Sequence, residues 1–559
     1  TVSGNIYMGQ YKRPNGTSSS YRDNIPSLTN RYLYSQSENK NANNNLHYQV
    51  ETSYEIDSFN LVSLSMWGYN GRYSSDYWGG TQETDAYGVP VREYASHGSL
   101  SGSYGSLSGT IDYQRTFRLP GRIFTLSYKL DNNPGESSNT SWIESMLNYD
   151  SRGQYYDNDT WSREQTVQAD FVNPIGKKHV LETGLKGILR SNGSDPNTYT
   201  WDYDAQQWRY DVRRRNALDY DQYIGALYAS YIFKLAKVSA KAGARLETTW
   251  NDGVFGFVQE DYTGVKTPFD NTQFNLIPYA SFSYAPKSTD RYTVSYTQRL
   301  SRPGIWYMNP YVNNSDPLNI STGNPDLDAE VAHSFSANYS YFKSKVSVTV
   351  DLNAAITNNS IERVTTVDAQ GVSLSKYYNI GHNNNVGLNL FASWRPGAKF
   401  SINGNVSGRY VRVEQDNGQG NEGFTLNGNL GTRVALWKNG AMTLNGYYSS
   451  PGVRLQGSGS SFFYYGLGLN QKLFKDKVTL NASVSNPLSK YRTWSNTIDT
   501  PELYQRSESR YVMRTARLSL SYRFGKSQVQ VKKAAKGISN DDVKGGGGSG
   551  GGGAEGGGQ

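Results

Sequence analysis

The sequence predicts an all-β chain folded as a transmembrane antiparallel up-and-down β-barrel. Three observations carry this: period-two alternation, connections that alternate between short and long, and a composition rich in aromatics but poor in other hydrophobes. Hydrophobic residues make up 36% of 559 residues and mean hydropathy is -0.68, which leaves a conventional Leu/Ile/Val interior thin for a chain of this length. Yet 45 Tyr, 11 Trp and 19 Phe, with charged residues at only 19%, do not suit a disordered chain. A net charge of +8 spread along the chain is too diffuse to point to nucleic acid. The absence of Cys excludes disulfide staples, thiolate metal sites and Cys nucleophiles. Apolar runs are only a few residues long, too short for a transmembrane helix.

Alternation is plainest where Val346, Val348, Val350 and Leu352 interleave with Ser347, Thr349, Asp351 and Asn353, and where Val478, Leu480 and Ala482 interleave with Thr479, Asn481 and Ser483. Such a strand suits either a sandwich, with apolar faces turned to a shared core, or a membrane barrel, with apolar faces turned to lipid around a polar lumen. The connections favour the barrel. Tight turns are expected near Asp57, Leu119-Pro120-Gly121, Gly176, Leu235-Ala236, Lys287-Ser288, Lys343-Ser344, Pro396-Gly397, Lys438-Asn439-Gly440 and Lys475-Asp476. Between them lie long polar excursions, roughly 11–45, 73–96, 133–161, 191–219, 250–273, 300–332, 357–384, 411–422, 451–461 and 488–511. A sandwich has no reason to gather every long loop at one end, whereas outer-membrane barrels have short periplasmic turns and long extracellular loops.

Taken in order, the rhythm gives twenty strand cores. The first ten are expected at 1–10, 46–56, 60–72, 97–117, 122–132, 162–172, 178–190, 220–234, 237–249 and 274–285. The next ten follow at 291–299, 333–342, 345–356, 385–395, 399–410, 423–435, 441–450, 462–473, 477–487 and 512–524. The first strand must run outward, because a long loop follows it. The last, Leu518-Ser519-Leu520-Ser521-Tyr522-Arg523-Phe524, runs inward and closes on an aromatic residue, like the terminal strand of bacterial outer-membrane proteins. After Phe524 the character changes to five Lys, three acidic residues and a glycine run from Gly545, so residues 1–524 read as one barrel domain and 525–559 as a flexible, Gly-rich periplasmic tail. Residue 1 is Thr rather than Met and strand-like sequence follows at once, so the natural chain is expected to begin upstream.

Constellations that could carry chemistry are sparse. His47, His97, His179, His333 and His382 fall in different strands or loops without metal-ligand spacing, no metal or cofactor is expected, and no Gly-x-Ser-x-Gly elbow supports a hydrolase. Loop aromatics are the better candidates. Trp201, Tyr203, Trp208 and Tyr210 with Arg213 and Arg214, and separately Trp306 and Tyr307, combine ring faces with charge in a way that suits sugars, chelates or peptides. Barrels need girdle and loop-packing aromatics whatever they bind, so packing competes with ligand contact at each of these positions. The arginine triplet Arg213–Arg215 could equally clamp lipopolysaccharide phosphates.

At residues 291–342 the sequence becomes more specific. Arg299-Leu300-Ser301-Arg302-Pro303 follows a strand, then come Met308-Asn309-Pro310 and Gly323-Asn324-Pro325-Asp326-Leu327, with Glu330 before the next strand. This resembles the mid-barrel stretch of TonB-dependent receptors, in particular the outer-membrane β-barrel family common in Bacteroidetes, whose usual Gly-Asn-Pro-x-Leu-x-Pro-Glu has its second Pro replaced here by Ala329. Asn275-Leu276-Ile277-Pro278 also fits, and the strand rhythm extends the similarity over 1–524. The resemblance implies a 22-stranded barrel with an N-terminal plug and TonB box, so that the twenty strands lack one opening hairpin and the plug, both upstream of Thr1. It implies an importer in the outer membrane of a Gram-negative bacterium, capturing a scarce small ligand with extracellular loops and energised by the inner-membrane TonB complex. Outer-membrane lipid and lipopolysaccharide would be its surroundings, and no enzyme activity is expected. The alternative is a passive or structural surface protein, such as an adhesin or a secretion-associated barrel, with the same wall and no energised gate.

Overall fold

A computed structural model of the protein describes residues 2–12, 16–23, 32–215, 217–258, 264–310, 312–314, 317–368, 370–522 and 531–544. They form a sheet of 28 strands, antiparallel apart from two short parallel contacts. Long strands pair with their sequence neighbours, from Tyr32–Glu55 through Asn60–Thr84, Pro90–Thr116, Ile123–Leu147, Arg152–Ile175, His179–Asp202, Ala217–Leu235, Val238–Val258, Gly264–Lys287 and Asp290–Pro303. The same order continues through Glu330–Lys343, Val346–Val367, Ser373–Gly397, Phe400–Gln415, Gly420–Trp437, Gly440–Ser449, Phe462–Leu473, Val478–Ser485 and Thr515–Tyr522. This is the up-and-down topology that the alternating connections imply.

Among the described residues, Val2–Lys12 pairs only with the Tyr32–Glu55 strand, and Thr515–Tyr522 only with Val478–Ser485. Nearer the long-loop end, Gly16–Asp23 pairs with Tyr504–Val512 and joins the first and last parts of the chain.

Side-chain exposure shows which face is which. Leu352 and Leu388, directly paired across two strands, are 53% and 51% exposed, and Val386, Leu390, Val406, Leu426 and Leu430 on the same face are exposed as well. Apolar faces therefore point outward, where lipid replaces water. The opposite face carries cross-strand polar ladders: the Asp351 carboxylate accepts from Ser336 at 2.6 Å, Asn353 at 3.0 Å and Asn389 at 3.2 Å. No helix among the described residues is long and apolar enough to cross a membrane.

The expected short turns are all present, and two show their chemistry directly. Asp57 Oδ1 accepts from the backbone N–H of Phe59 and Asn60 at 2.7 and 2.8 Å, and Asn439 takes the left-handed conformation at φ 61°. The long excursions differ from expectation. Most are not irregular loops but continuations of the strands, so that Asn60–Thr84 and Pro90–Thr116 run for 25 and 27 residues, against the 9–11 or so that cross a membrane. Their register is held by small polar and aromatic pairs such as Ser101 with Ser138, whose hydroxyls lie 2.9 Å apart. Both faces of these hairpins are polar, which removes the apolar alternation without removing the strand.

Within the stretch 525–559, residues 531–544 are described. Residues 531–544 do not hang free but run along the inner wall of the sheet, held by bonds to Glu51, Glu182, Glu164 and Arg302 in turn. Phe524 and the glycine run from Gly545 lie outside the described residues.

Candidate functional site

The lumen is shaped chiefly by residues 304–329, the connection between Asp290–Pro303 and Glu330–Lys343. It folds inward. Three buried apolar clusters are found among the described residues, and each contains a residue from this connection: Leu318 packs with Leu33, Tyr94 and Ile143; Met308 with Leu218 and Tyr220; Tyr307 and Leu327 with Ile361. The connection thus reaches several strands around the wall rather than resting on its own two.

Its path follows from the motif that marks it in the sequence. After Gly304 comes a single helical turn, Ile305–Met308, and the returning Gly323 and Asn324 bond back to it, Gly323 N–H to the Asn309 carbonyl at 2.9 Å and Asn324 N–H to the Tyr307 carbonyl at 2.7 Å. A Cβ on Gly323 would collide with the carbonyl oxygens of Asn309 and Tyr307, so only glycine fits. Asn324 Nδ2 donates to the Tyr377 carbonyl at 2.9 Å while its Oδ1 accepts from the Asp326 N–H at 3.2 Å, fixing the Gly-Asn-Pro turn to the wall. On the far side, Arg22, 1% exposed, donates to the Leu318 carbonyl at 2.8 Å and to the Gly371 carbonyl at 2.5 Å.

Tyr307 is buried against Tyr377, edge to face at 4.6 Å, and burial pushes its hydroxyl up to about 12, helped by Tyr377, Glu330 and Glu362. It is a packing residue of the inward segment. The side chain of Trp306 lies outside the described residues.

The other expected aromatics gather at the long-loop end. Trp201 and Trp208 face each other across the hairpin at 5.2 Å, and Trp142, which the sequence reading missed, completes a triad at 5.6 and 5.3 Å from them. Tyr210 packs on Tyr199 at 5.4 Å, Tyr203 is exposed at the hairpin tip, and Arg213 is exposed in the helical turn Val212–Arg214 that follows the hairpin. Arg214 reaches inward, pairing with Asp211 at 3.1 Å and donating to Asn314 Oδ1 of the inward segment at 2.9 Å. Next to Trp142 a cavity of about 390 Å³ is lined by both polar and apolar side chains, among them Ser20, Ser35, Tyr94, Leu100, Asn139 and Ile143. The triad's rings thus pack chiefly on one another, with Trp142 also facing this cavity.

Deeper in the lumen lies a charged group that sequence reading did not assign to a site. Arg302 donates to Glu247 and, at 2.8 Å, to Thr249; Arg190 donates to Glu164 at 2.5 Å and to Gln222 at 2.8 Å. Arg302 stands in the motif described above, but only the fold brings it to Glu247 on another strand. The signal in the sequence was charge set within these strands, as at Lys186 and Arg190 or Arg245 and Glu247. No group of His, Asp and Glu able to hold a metal ion is found among the described residues.

The model of the outer membrane protein beta-barrel family matches residues 115–522, most of the chain. The chain belongs to this family. Its place is therefore the outer membrane of a Gram-negative bacterium. Similar solved structures include the ferric-catecholate import receptor Fiu from E. coli K12, 9% identical over 90% of this chain and 82% of that one, with a TM-score of 0.54. The ferric yersiniabactin uptake receptor FyuA from Yersinia pestis is 10% identical over 90% and 80%, with a TM-score of 0.51. The siderophore receptor PiuA from Acinetobacter baumannii is 12% identical over 90% and 82%, also at 0.51. At such identities the likeness is one of fold. No match to the chain is found among curated proteins.

Proposed function

We propose that this family member is the barrel of a TonB-dependent importer that captures a scarce small ligand at its long-loop end and passes it through the lumen with the help of a plug and the inner-membrane TonB complex. The observation that carries this reading is the inward segment 304–329, which contributes to each of the three buried apolar clusters found among the described residues. A segment packed across the bore narrows it, which suits a receptor whose mouth opens only for its passenger. Among the described residues Val2–Lys12 and Thr515–Tyr522 each pair along one edge, and an unpaired edge in hydrocarbon leaves backbone groups without partners, which supports a ring completed to 22 strands by a further hairpin. Fiu, FyuA and PiuA are named for ferric or siderophore ligands, which supports a metal chelate as the first passenger to test. Capture falls to the rim formed by Trp142, Trp201, Trp208 and Tyr210, with Arg213 and Arg214 setting its polarity.

The test is uptake of a radiolabelled ferric catecholate by cells carrying the complete receptor, with and without a protonophore. Accumulation that collapses with the proton gradient supports the importer. Equilibration that is indifferent to the gradient would favour the passive or structural surface protein instead.

A further inference from the structure

The lumen wall of this barrel carries a finished carboxylate site, and the group in it comes from the chain itself. Arg190 and Arg302 stand on non-adjacent strands, His179–Asp202 and Asp290–Pro303, and are 6% and 3% exposed. The Asp542 carboxylate sits between them. Arg190 donates two parallel bonds, Nη1 to Oδ2 at 2.9 Å and Nη2 to Oδ1 at 2.7 Å, and Arg302 Nη1 donates to Oδ2 at 2.6 Å. This is the fork geometry in which guanidinium groups bind carboxylates most strongly. Each arginine is also held in place by the wall, Arg190 by Glu164 and Gln222 and Arg302 by Glu247 and Thr249, so the receptor side is set by the barrel and not by the tail.

The rest of residues 531–544 follows a matching track. Lys532 pairs with Glu55 and Lys533 with Glu51, both at 2.7 Å, beside the short-turn end of their strand. Higher up, Lys536 pairs with Glu182 at 3.1 Å and Lys186 Nζ donates to the Ser539 carbonyl at 2.6 Å. Asn540 donates to Thr166 at 2.7 Å. At the top, Val543 and Lys544 add a short parallel strand to Arg302 and Pro303, and Lys544 pairs with the buried Glu330 at 2.5 Å. Signs along the tail match those of the wall: lysines meet glutamates and Asp542 meets the arginines. Asp541, one residue away, is 75% exposed at its side chain and lies 3.6 Å from Arg299.

We propose that residues 531–544 are a tethered internal ligand of the lumen, whose Asp542 carboxylate occupies an Arg190–Arg302 receptor site that accepts a single carboxylate group. The strap enters from the short-turn end and its tip touches the base of the inward segment. A carboxylate-bearing peptide or solute that crosses this level shares the site with the chain's own tail. The inference concerns the occupancy of the site and does not depend on which ligand the barrel imports.

The test uses the full chain in detergent micelles, with trypsin cleavage after Lys536 and Lys544 followed by mass spectrometry. Asp542→Asn removes the charge at the site, and Asp541→Asn removes the same charge one residue away. Cleavage that tracks the opening of the strap is expected to be roughly tenfold or more faster in D542N than in the parent chain, with D541N unchanged. The second arm adds a labelled synthetic peptide with the sequence of residues 537–544, which should bind D542N and not the parent, whose site is filled. Both variants lie outside the barrel wall, so a folding defect does not confuse the result. Equal cleavage of D541N and D542N, parent cleavage as fast as D542N, or a peptide that fails to bind D542N would each overturn the proposal.

Discussion

Leu352→Arg is the most direct probe of which face meets lipid. Leu352 lies seven residues beyond Lys345, in the short turn between Glu330–Lys343 and Val346–Val367, and is 53% exposed beside Ala337 and Leu388. At about 3.3 Å per residue and a tilt near 40°, each residue rises roughly 2.5 Å along the barrel axis, which puts Leu352 about 17 Å from the turn. With the charged turn standing a few ångströms clear of an apolar band about 25 Å tall, this is close to mid-membrane. An arginine there should cost about 2–4 kcal/mol, a factor of roughly 30 to 1000 in the folding equilibrium. Thr349→Arg, three residues lower and on the inner face near Asp351, should cost under about 1 kcal/mol, because the lumen solvates the charge and a carboxylate lies close by. Reversible urea titration in lipid vesicles, followed by tryptophan fluorescence and by gel mobility with and without heating, measures both. Equal costs, or a larger cost for T349R, would refute the face assignment.

Arg22→Ala removes charged hydrogen bonds to Leu318 and Gly371 and should weaken the seat of the inward segment by about 1.5–3 kcal/mol, read as faster proteolysis within residues 304–329 without loss of the barrel. Gly323→Ala forces a methyl against the Asn309 and Tyr307 carbonyls and should cost about 1–3 kcal/mol in the same assay. The Trp201→Ala, Trp208→Ala double variant dismantles the triad with Trp142; ligand capture by the complete receptor should fall while barrel unfolding in urea is unchanged, and unaltered capture would leave these rings as loop packing. Burial would raise the Asp542 carboxyl, but Arg190 and Arg302 outweigh it and hold the group well below the usual carboxylate range. A lowered pKa means the strap's ionic contribution is complete above the free-chain value of about 3.9 and is lost as pH falls through the seated value. Hydrogen exchange in residues 538–544, corrected for intrinsic rates, should therefore be flat from pH 8 to 5 and rise only below about pH 4; release between pH 7 and 5 would refute it.

The sequence by itself determined the wall of this protein. Alternation in runs such as Val346–Leu352 is a local property of the extended backbone, and turns such as Asp57–Asn60 and Lys438–Gly440 are written in residues that bond to their own neighbours or adopt left-handed φ. The outward course of Asn60–Thr84 and Pro90–Thr116 beyond the membrane was not legible, because hairpins wet on both faces lose the apolar period while keeping their pairing. The aromatic loop was legible as composition, yet its third ring, Trp142, lies more than fifty residues away and joins only through strand register. The charged site was legible least. Arg190, Glu247 and Arg302 come from three separate strands, and Asp542 sits in a stretch whose composition reads as tail. Only the tertiary fold sets those four side chains around one point, because a lumen contact depends on strands far apart in the sequence and on no local feature of the chain.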